Sequence, residues 1–408
     1  MNDEMVKYVE QLKGEETGLL RYKIRRIIIK IVDSKIATIQ RLNNEYYFLT
    51  IKKDNLGFMG RLFNLEDKPQ FVPVDYYPIM SQNEREYKLI RRGNISNLFE
   101  DLSPLLNLIE SEYPLHGVIS IDDVERALVT SKGFNGLENN QSISGYFRAK
   151  NKEYSGQWAF SSTQFSTSLI KDAIKKANEL ASITGSYEIS EGKYDVVLSP
   201  LVMGNLMESL ARMASGFSII SGMSMLKPGE KVGSDKFTLL DTPREDRPNS
   251  WGFDDEGTFT YNKAIIEEGV FTTPLLNNEL SPIFKSKTTA NAGWIYPTAW
   301  NLEVKEGDIS YESLLSGNVI FINNVWYTRF QNYAEGDFST VARDATVVYK
   351  DGKPVGIAGR VRIADNLKRI LMNIVEISKE RYSVRWWDAP MQGVYPYVLV
   401  KDVKLTIA

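Results

Sequence analysis

The chain has 408 residues, with no cysteine, one histidine and a formal net charge of −3 at pH 7. The lack of cysteine excludes disulfides and thiolate metal ligands, and a single histidine excludes a zinc site built from several imidazoles. The charge lacks the basic excess of a nucleic-acid-binding protein, and the apolar runs fall far short of the roughly 20 residues that span a membrane. We therefore expect neither nucleic acid nor membrane as a partner.

The N-terminal part of the chain predicts one helix followed by strands. Residues 1–15 show helical amphipathic spacing and open with acidic residues, unlike a signal peptide, which leads us to expect a cytoplasmic protein. The runs at 21–33 and 46–53 are rich in β-branched and aromatic residues and predict neighbouring strands of a meander. Residues 60–115 are poorly periodic and predict no clear element.

Further strands and a second helix follow from Val124. The segment 168–182 places its apolar residues in one stripe, which predicts a helix that starts at Thr167 or Ser168 and packs on the preceding sheet. A Ser-His-Asp triad would require His116, which we interpret instead as a polar surface residue of a loop.

The polar, glycine-punctuated segment 183–194 predicts a boundary between two domains. We predict an α+β protein whose N-terminal domain, at 1–188, is a mixed β-sheet with flanking helices. The C-terminal domain, at 189–408, is predicted to be larger and β-rich, with two long helices.

Local signals place the elements of this second domain. A strand at 195–198 precedes a helix that begins at Ser199 or Pro200 and runs to about Ser215. The Asp-Gly pair at 351–352 predicts a β-hairpin, and the apolar spacing from 367 to 375 predicts the second long helix.

The most distinctive stretch, at 237–278, contains three successive carboxylates, Asp254, Asp255 and Glu256, followed by Gly257. In an extended strand the first and third carboxylates would share one face and could bind a cation. The alternative is an acidic strand end and a glycine turn that keep a sheet edge soluble.

Aromatic residues concentrate later in the chain, at Trp294, Tyr296, Trp300, Trp326 and Tyr327. Large amphipathic side chains favour peptide-binding and partner surfaces, but they are equally common in cores. Both interpretations stay open.

Three blocks, at 194–241, at 253–258 (FDDEGT) and at 336–378, resemble the TldD/PmbA family, whose members are also called modulators of DNA gyrase. The resemblance covers roughly residues 20–405 and is strongest from 194 onward. It implies a two-domain TldD/PmbA-like fold, with the FDDEGT block in the C-terminal domain.

One departure from the family concerns zinc. In its peptidase-type subunits the helix near residue 200 carries a zinc motif of the form His-Glu-x-x-x-His, and alignment places Glu208, Ser209 and Met213 at the three motif positions. Neither imidazole is present, and a serine replaces the glutamate base. The family's C-terminal cysteine is also missing from 384–400, so the chain is similar to the PmbA or TldE type, which lacks the metal.

The resemblance implies a chain that is inactive alone, has no catalytic residue or cofactor of its own and pairs with a zinc-bearing TldD-type subunit. The assembly would cleave peptides or unfolded segments; a homodimer is the other expected assembly. Candidates for substrate-chamber or structural roles are Asp254, Asp255, Glu256, Gly257, Trp294, Tyr296 and Trp300.

Three alternatives stay open. One is a hard ion held by Glu208 together with the acidic block. The second is a self-sufficient peptidase that uses carboxylates. The third is a peptide-binding or regulatory module without catalysis.

Overall fold

The computed structural model describes residues 2–74, 79–82, 87 and 89–407, which form two β-sheets with short helices around them. Strands make up 48% of the chain and helices 16%, which confirms the predicted α+β class. Within the described ranges, no helix is both long enough and apolar enough to cross a bilayer.

The first part of the chain forms an eight-stranded sheet within the described residues, together with four helices. Its elements in chain order are α1 (Asp3–Leu12), β1 (Glu16–Val32), β2 (Lys35–Lys53), β3 (Leu56–Leu62), β4 (Val72–Pro73), β5 (Ile90–Arg92), α2 (Asn97–Glu100), α3 (Ser103–Leu106), β6 (Leu115–Thr130), β7 (Asn135–Asn151), β8 (Tyr154–Ser162) and α4 (Thr167–Ser182).

Long antiparallel strands dominate this first sheet, whose order is β4-β3-β2-β1-β6-β7-β5, with β8 also paired to β7. The hairpin between β1 and β2 turns at Asp33 and Ser34, whose φ angles of 48° and 59° are left-handed. Short polar side chains tolerate this conformation better than β-branched ones. The central strands β6 and β7 carry two fully buried charged residues, Arg126 and Glu138, toward the second half of the chain.

The second part of the chain forms a larger, mixed sheet. Its elements in chain order are β9 (Ser186–Tyr187), β10 (Gly192–Leu198), α5 (Pro200–Met213), α6 (Gly216–Ile220), β11 (Leu239–Asp241), β12 (Lys263–Glu267), β13 (Val270–Phe271), β14 (Leu302–Val304), α7 (Tyr311–Leu314), β15 (Val319–Asn332), β16 (Asp337–Lys350), β17 (Lys353–Ala358), β18 (Val361–Asn366), α8 (Leu367–Met372), β19 (Ile374–Trp386) and β20 (Ala389–Ile407).

The second sheet has the order β13-β12-β11-β14-β20-β10-β15-β16-β17-β9; in addition β18 pairs with β16 and β20, and β19 with β20. Its apolar side chains join those of the first sheet in one continuous core, to which Phe147 of β7 and Leu206 of α5 both belong. The predicted boundary segment 183–194 contains β9, which pairs with β17 of the second sheet. The division into domains at 188 stays a prediction.

Helix α5 is the central helix of the second part. Ser199 caps its N-terminus, because the Ser199 hydroxyl accepts hydrogen bonds from the backbone N–H groups of Leu201 and Val202, and Pro200 occupies the first turn. Twelve of its fourteen residues are buried, and the helix packs on β20 and β15. The predicted start of this helix is confirmed.

Other local predictions are also confirmed. The predicted N-terminal helix is α1, and the Asp-Gly pair at 351–352 joins β16 to β17 in a hairpin, with both residues at positive φ. The two strands predicted at 21–33 and 46–53 pair with each other as β1 and β2.

Three local predictions were wrong. The cap of α4 is Ser166, whose hydroxyl accepts from the N–H of Leu169. The last predicted helix begins as expected, with Asn366 as its cap, but it ends at Met372 and strand β19 begins at Ile374, because a short apolar run does not distinguish a buried strand from a helix. The second domain therefore has one long helix instead of two. His116 lies in strand β6 and not in a loop.

Candidate functional site

A cleft of about 560 Å³ opens beside the second half of α5. Its other sides are α6 and the residues after it, the second half of β15, and the turn between β19 and β20. The three positions that the resemblance assigns to the zinc motif, Glu208, Ser209 and Met213, all line this cleft.

The Glu208 carboxylate is already engaged by this chain. One of its oxygens is 2.6 Å from Nη2 of Arg212, one helical turn later, and the other accepts from the backbone N–H of Met391 at 3.0 Å. Glu208 is buried, whereas most of the Arg212 side chain is exposed. The charge of Glu208 is therefore neutralised at the edge of the cleft.

Hydrogen bonds fix the polar floor of the cleft. The Asn205 side chain donates to the carbonyl oxygen of Asp388 at 2.7 Å and accepts from the Thr328 hydroxyl at 2.5 Å. The hydroxyls of Thr328 and Thr340 are 2.8 Å apart. These contacts connect α5 to β15, β16 and the β19–β20 turn, so the floor is held from four elements.

Asp388 is the second carboxylate of the cleft. Burial raises the pKa of Asp388 to about 6, a backbone hydrogen bond from Tyr327 opposes the rise, and the nearby Glu208 carboxylate adds to it. Among the described residues, none donates a hydrogen bond to its buried Oδ2. Asp388 therefore changes charge close to neutral pH.

Exposed aromatic side chains form the rim of the cleft. The rings of Phe330 and Tyr333 stack with centroids 5.2 Å apart, and Trp387 stands edge-on to Trp326 at 5.4 Å. Tyr333 and Trp387 line the cleft and are each about half exposed, and Tyr327, also about half exposed, lies beside Trp387. An exposed aromatic group beside a polar floor is typical of a surface that binds a ligand or a partner.

The donor atoms of the cleft do not fit a zinc ion. Glu208, Ser209 and Met213 supply a carboxylate already in an ion pair, a hydroxyl and a thioether, whereas protein zinc sites use thiolates, imidazoles and free carboxylates. Across the described ranges, no three His, Asp or Glu side chains form a group that could hold a metal. The structure thus does not bring Glu208 together with the acidic block at 254–256.

The acidic block lies in a tight turn and not in a strand, so the predicted strand end was wrong, whereas the predicted turn at Gly257 is present. The Asp254 carboxylate accepts from the backbone N–H groups of Glu256, Thr258 and Ala292, at 3.0, 2.8 and 3.2 Å. Gly257 has φ +84°, a left-handed conformation that glycine adopts without strain. Local hydrogen bonds to a short side chain favour such a turn over a strand.

Glu256 connects this turn to two distant segments. Its carboxylate oxygens accept from the backbone N–H groups of Ile79, at 3.2 Å, and Asn278, at 2.8 Å. Both Asp254 and Glu256 are fully buried, and burial raises the pKa of each carboxyl, that of Asp254 to about 7. The two carboxyls therefore bind backbone donors in a site that disfavours their charged forms.

Asp255 pairs with Arg126, which is completely buried. The same guanidinium donates to the carbonyl oxygen of Phe253 at 2.6 Å and lies 4.6 to 5.4 Å from the ring centroids of Phe253, Trp251 and Trp300. The first sheet thus holds the acidic turn through one cation in an aromatic cage.

The predicted aromatic residues have different environments. Trp300 is buried and donates its ring N–H to the carbonyl oxygen of Ala290, and Trp294 packs on Phe48 of the first sheet with ring centroids 4.3 Å apart. Tyr296 is half exposed. The structure brings Trp300 close to the acidic block, through Arg126, and places Glu208 at a separate site.

The prediction from sequence missed the residues that complete the cleft. Asn205, Tyr333 and the adjacent pair Trp387-Asp388 lie far apart in the chain and meet only where β15, β19 and β20 come together around α5. The run Trp386-Trp387-Asp388 is a local signal that could have indicated this place, because large amphipathic side chains favour binding surfaces.

Residues 191–407, more than half of the chain, match the family model described as PmbA/TldA metallopeptidase C-terminal domain. The chain therefore has a metallopeptidase-like fold. It belongs to the PmbA/TldD family.

Two relatives are described as metalloproteases. The one from Methanothermobacter thermautotrophicus is 30% identical over 133 residues, which is 30% of this chain and 29% of the relative. The one from Methanocaldococcus jannaschii is 28% identical over 152 residues, 35% and 34% of the two chains. The matches therefore span about a third of each relative's length.

Solved structures share the fold over nearly the whole chain. TldE from Thermococcus kodakarensis has a TM-score of 0.80 at 16% identity, covering 99% of both chains. A proposed modulator of a DNA gyrase from Thermotoga maritima has a TM-score of 0.81 at 20% identity, with the same coverage. At these identities the likeness shows the fold alone, and it confirms the predicted TldD/PmbA-like fold.

We expect Asp254→Asn and Glu256→Gln each to lower the melting temperature by several degrees. An amide in place of the carboxylate removes an acceptor from a buried backbone N–H, which costs about 1–3 kcal/mol. The matched control is Glu267→Gln, a neutralised carboxylate on the exposed side of β12. Thermal denaturation of the three variants measures the difference. If the first two variants keep the melting temperature of the unmodified chain but lose peptidase activity in the presence of a partner, the acidic block has a functional role instead of a structural one.

Proposed function

We propose that this chain is the TldE-type, metal-free subunit of a cytoplasmic TldD/TldE peptidase, and that it shapes the substrate chamber for peptides or unfolded segments. Zinc and the attacking water belong to a TldD-type partner in this proposal. The family membership of the chain and the metalloprotease names of its relatives support a place in proteolysis.

The proposal rests on the side chains that occupy the zinc-motif positions in the cleft. There the one remaining carboxylate, Glu208, is bound to Arg212 and to the backbone of β20, and its neighbours Ser209 and Met213 offer no nitrogen donor. A cleft with these side chains binds a substrate better than it activates water, because a general base must be free to take a proton.

The rim supports a contact with peptide. Tyr333, Trp387 and Met223 present apolar surface at the mouth of the cleft, and the floor offers the hydroxyl and amide groups of Thr328 and Asn205. Peptide sites combine apolar contact surface with a few oriented polar groups of this kind.

The proposal predicts that hydrolysis requires two different chains. We expect peptidase activity when the chain is combined with the metal-bearing relative that co-purifies with it from the native host, and none from either chain alone. A chelator should abolish the activity. The measurement is release of fluorescence from a quenched peptide mixture, with and without chelator.

The variant Glu208→Gln should keep at least about half of the activity of the pair. A glutamine oxygen can still accept from the N–H of Met391, and the Arg212 guanidinium that loses its partner is mostly exposed, so water can solvate it. Loss of turnover with the two-chain complex still assembled would show that Glu208 takes part in the chemistry, and would overturn the proposal.

Truncation of the rim should weaken substrate binding. We expect Trp387→Ala to raise KM about tenfold while kcat changes little, because a half-exposed aromatic anchor contributes to binding and not to the chemical step. Tyr261→Ala is the matched control, since Tyr261 is 45% exposed and Trp387 46%, and Tyr261 lies outside the cleft. Equal effects of both substitutions on KM would show that the rim is not part of the substrate site.

A self-sufficient carboxylate-dependent peptidase is the second candidate, and Asp388 favours it. A carboxyl with a pKa near 6 can donate or accept a proton near neutral pH. This candidate predicts hydrolysis by the purified single chain, resistant to chelator and abolished by Asp388→Asn. The two-chain assay therefore separates the two functions directly.

A further inference from the structure

A second pocket, of about 270 Å³, adjoins the α5 cleft. It lies where β1, β6 and β7 of the first sheet meet the end of β19 and the β19–β20 turn. Trp387 and Pro390 line both the pocket and the α5 cleft. The two pockets therefore meet at Trp387 and Pro390, and we call them together the groove.

The pocket contains a guanidinium group with no carboxylate bound to it. Nε of Arg385 donates to the carbonyl oxygen of Pro390 at 3.0 Å. Among the described residues, none places a carboxylate in ion-pair contact with Arg385. Burial lowers the pKa of Arg385, and the nearby carboxylates of Asp122 and Glu208 oppose this fall without forming an ion pair with it.

The lining of this pocket also contains the carboxylate of Asp122, which already has partners within the chain. Asp122 forms an ion pair with Nε of Arg26, and its other oxygen accepts from the Ser120 hydroxyl at 2.9 Å. The charged residues of the lining are thus Arg26, Asp122 and Arg385. The lining therefore carries a net positive charge, and within the described residues Arg385 is its charged group without an ion pair.

We propose that the Arg385 pocket binds a carboxylate of the peptide that occupies the groove, either its C-terminal carboxylate or an acidic side chain. A guanidinium group matches a carboxylate with two parallel hydrogen bonds, which makes it the usual partner for this anion. Ser144 and Tyr146 in the lining supply further polar atoms. The inference rests on the proposed function, since it assumes that the groove takes a peptide.

This arrangement orients the peptide. When a carboxylate of the peptide binds Arg385, the adjoining residues of the peptide lie over Trp387, which lines both pockets. The peptide residues beyond them then lie in the α5 cleft. A peptide bound through its C-terminal carboxylate would then place the residues that precede the C-terminus in the α5 cleft.

The test uses three N-terminally acetylated pentapeptides and the purified chain without a partner. One is penta-alanine with a free C-terminus, the second is its C-terminal amide, and the third is the amide with one glutamate in place of the last alanine. Isothermal titration calorimetry measures each dissociation constant. We expect at least one carboxylate peptide to bind about tenfold or more tightly than the neutral amide, as a charge-assisted hydrogen bond would produce.

The peptide that gains affinity identifies the source of the carboxylate: the first indicates a C-terminal carboxylate, and the third an acidic side chain. Arg385→Gln should remove this gain and leave the affinity for the neutral amide unchanged, and Arg385→Lys should restore part of it. Arg360→Gln, a neutralised exposed arginine outside the groove, is the control and should change nothing.

Three results would overturn the inference: equal binding of all three peptides, no binding of any of them, or an equal loss for every peptide in Arg385→Gln. The last would indicate a structural role for Arg385. The assay needs neither zinc, nor hydrolysis, nor a second chain. Its failure is therefore distinct from a failure of the two-chain peptidase assay.

Discussion

The buried Arg126 guanidinium is the contact on which the arrangement of the two sheets most depends. It stands on β6 of the first sheet and binds Asp255 and the Phe253 carbonyl of the loop between β11 and β12. A buried cation without its partners would cost several kcal/mol, so the loop must meet the sheet at this point. Glu138 on β7 adds a second polar contact, because its carboxylate accepts from the N–H of Gly252 at 2.7 Å.

Docking of this loop explains why the FDDEGT block has three acidic residues in a row. Asp254 closes the turn, Asp255 neutralises Arg126, and Glu256 binds the backbone at Ile79 and Asn278. Successive residues can point in three directions because the turn at Gly257 replaces a strand. A block that resembles a cation site in the sequence is thus used for internal hydrogen bonds.

The α5 cleft differs from this block in its chemistry. Its carboxylates, Glu208 and Asp388, lie beside an open volume and an exposed aromatic rim, whereas those of the acidic block are surrounded by backbone donors. Two positive residues, Arg212 and Arg385, lie along the same groove, the first paired and the second unpaired within the described residues. The cleft therefore suits substrate contact better than the acidic block does.

The sequence predicted features whose cause is local. The start of α5 follows from Ser199 and Pro200, and the hairpin at 351–352 from an Asp-Gly pair, because these signals act within a few residues. The role of Glu256 could not be predicted, because Ile79 lies 177 residues away along the chain. The cleft needed the same long-range information, since Asn205 and Asp388 are 183 residues apart and meet only in the folded sheet.

In our proposal this chain contributes a substrate-binding surface and no metal. The decisive measurement is elemental analysis of the purified chain, after dialysis against metal-free buffer and with zinc offered during expression. We expect far less than one zinc ion per chain, because one histidine, no cysteine and an ion-paired Glu208 leave no adequate donor set. One tightly bound zinc ion per chain that survives dialysis would contradict it.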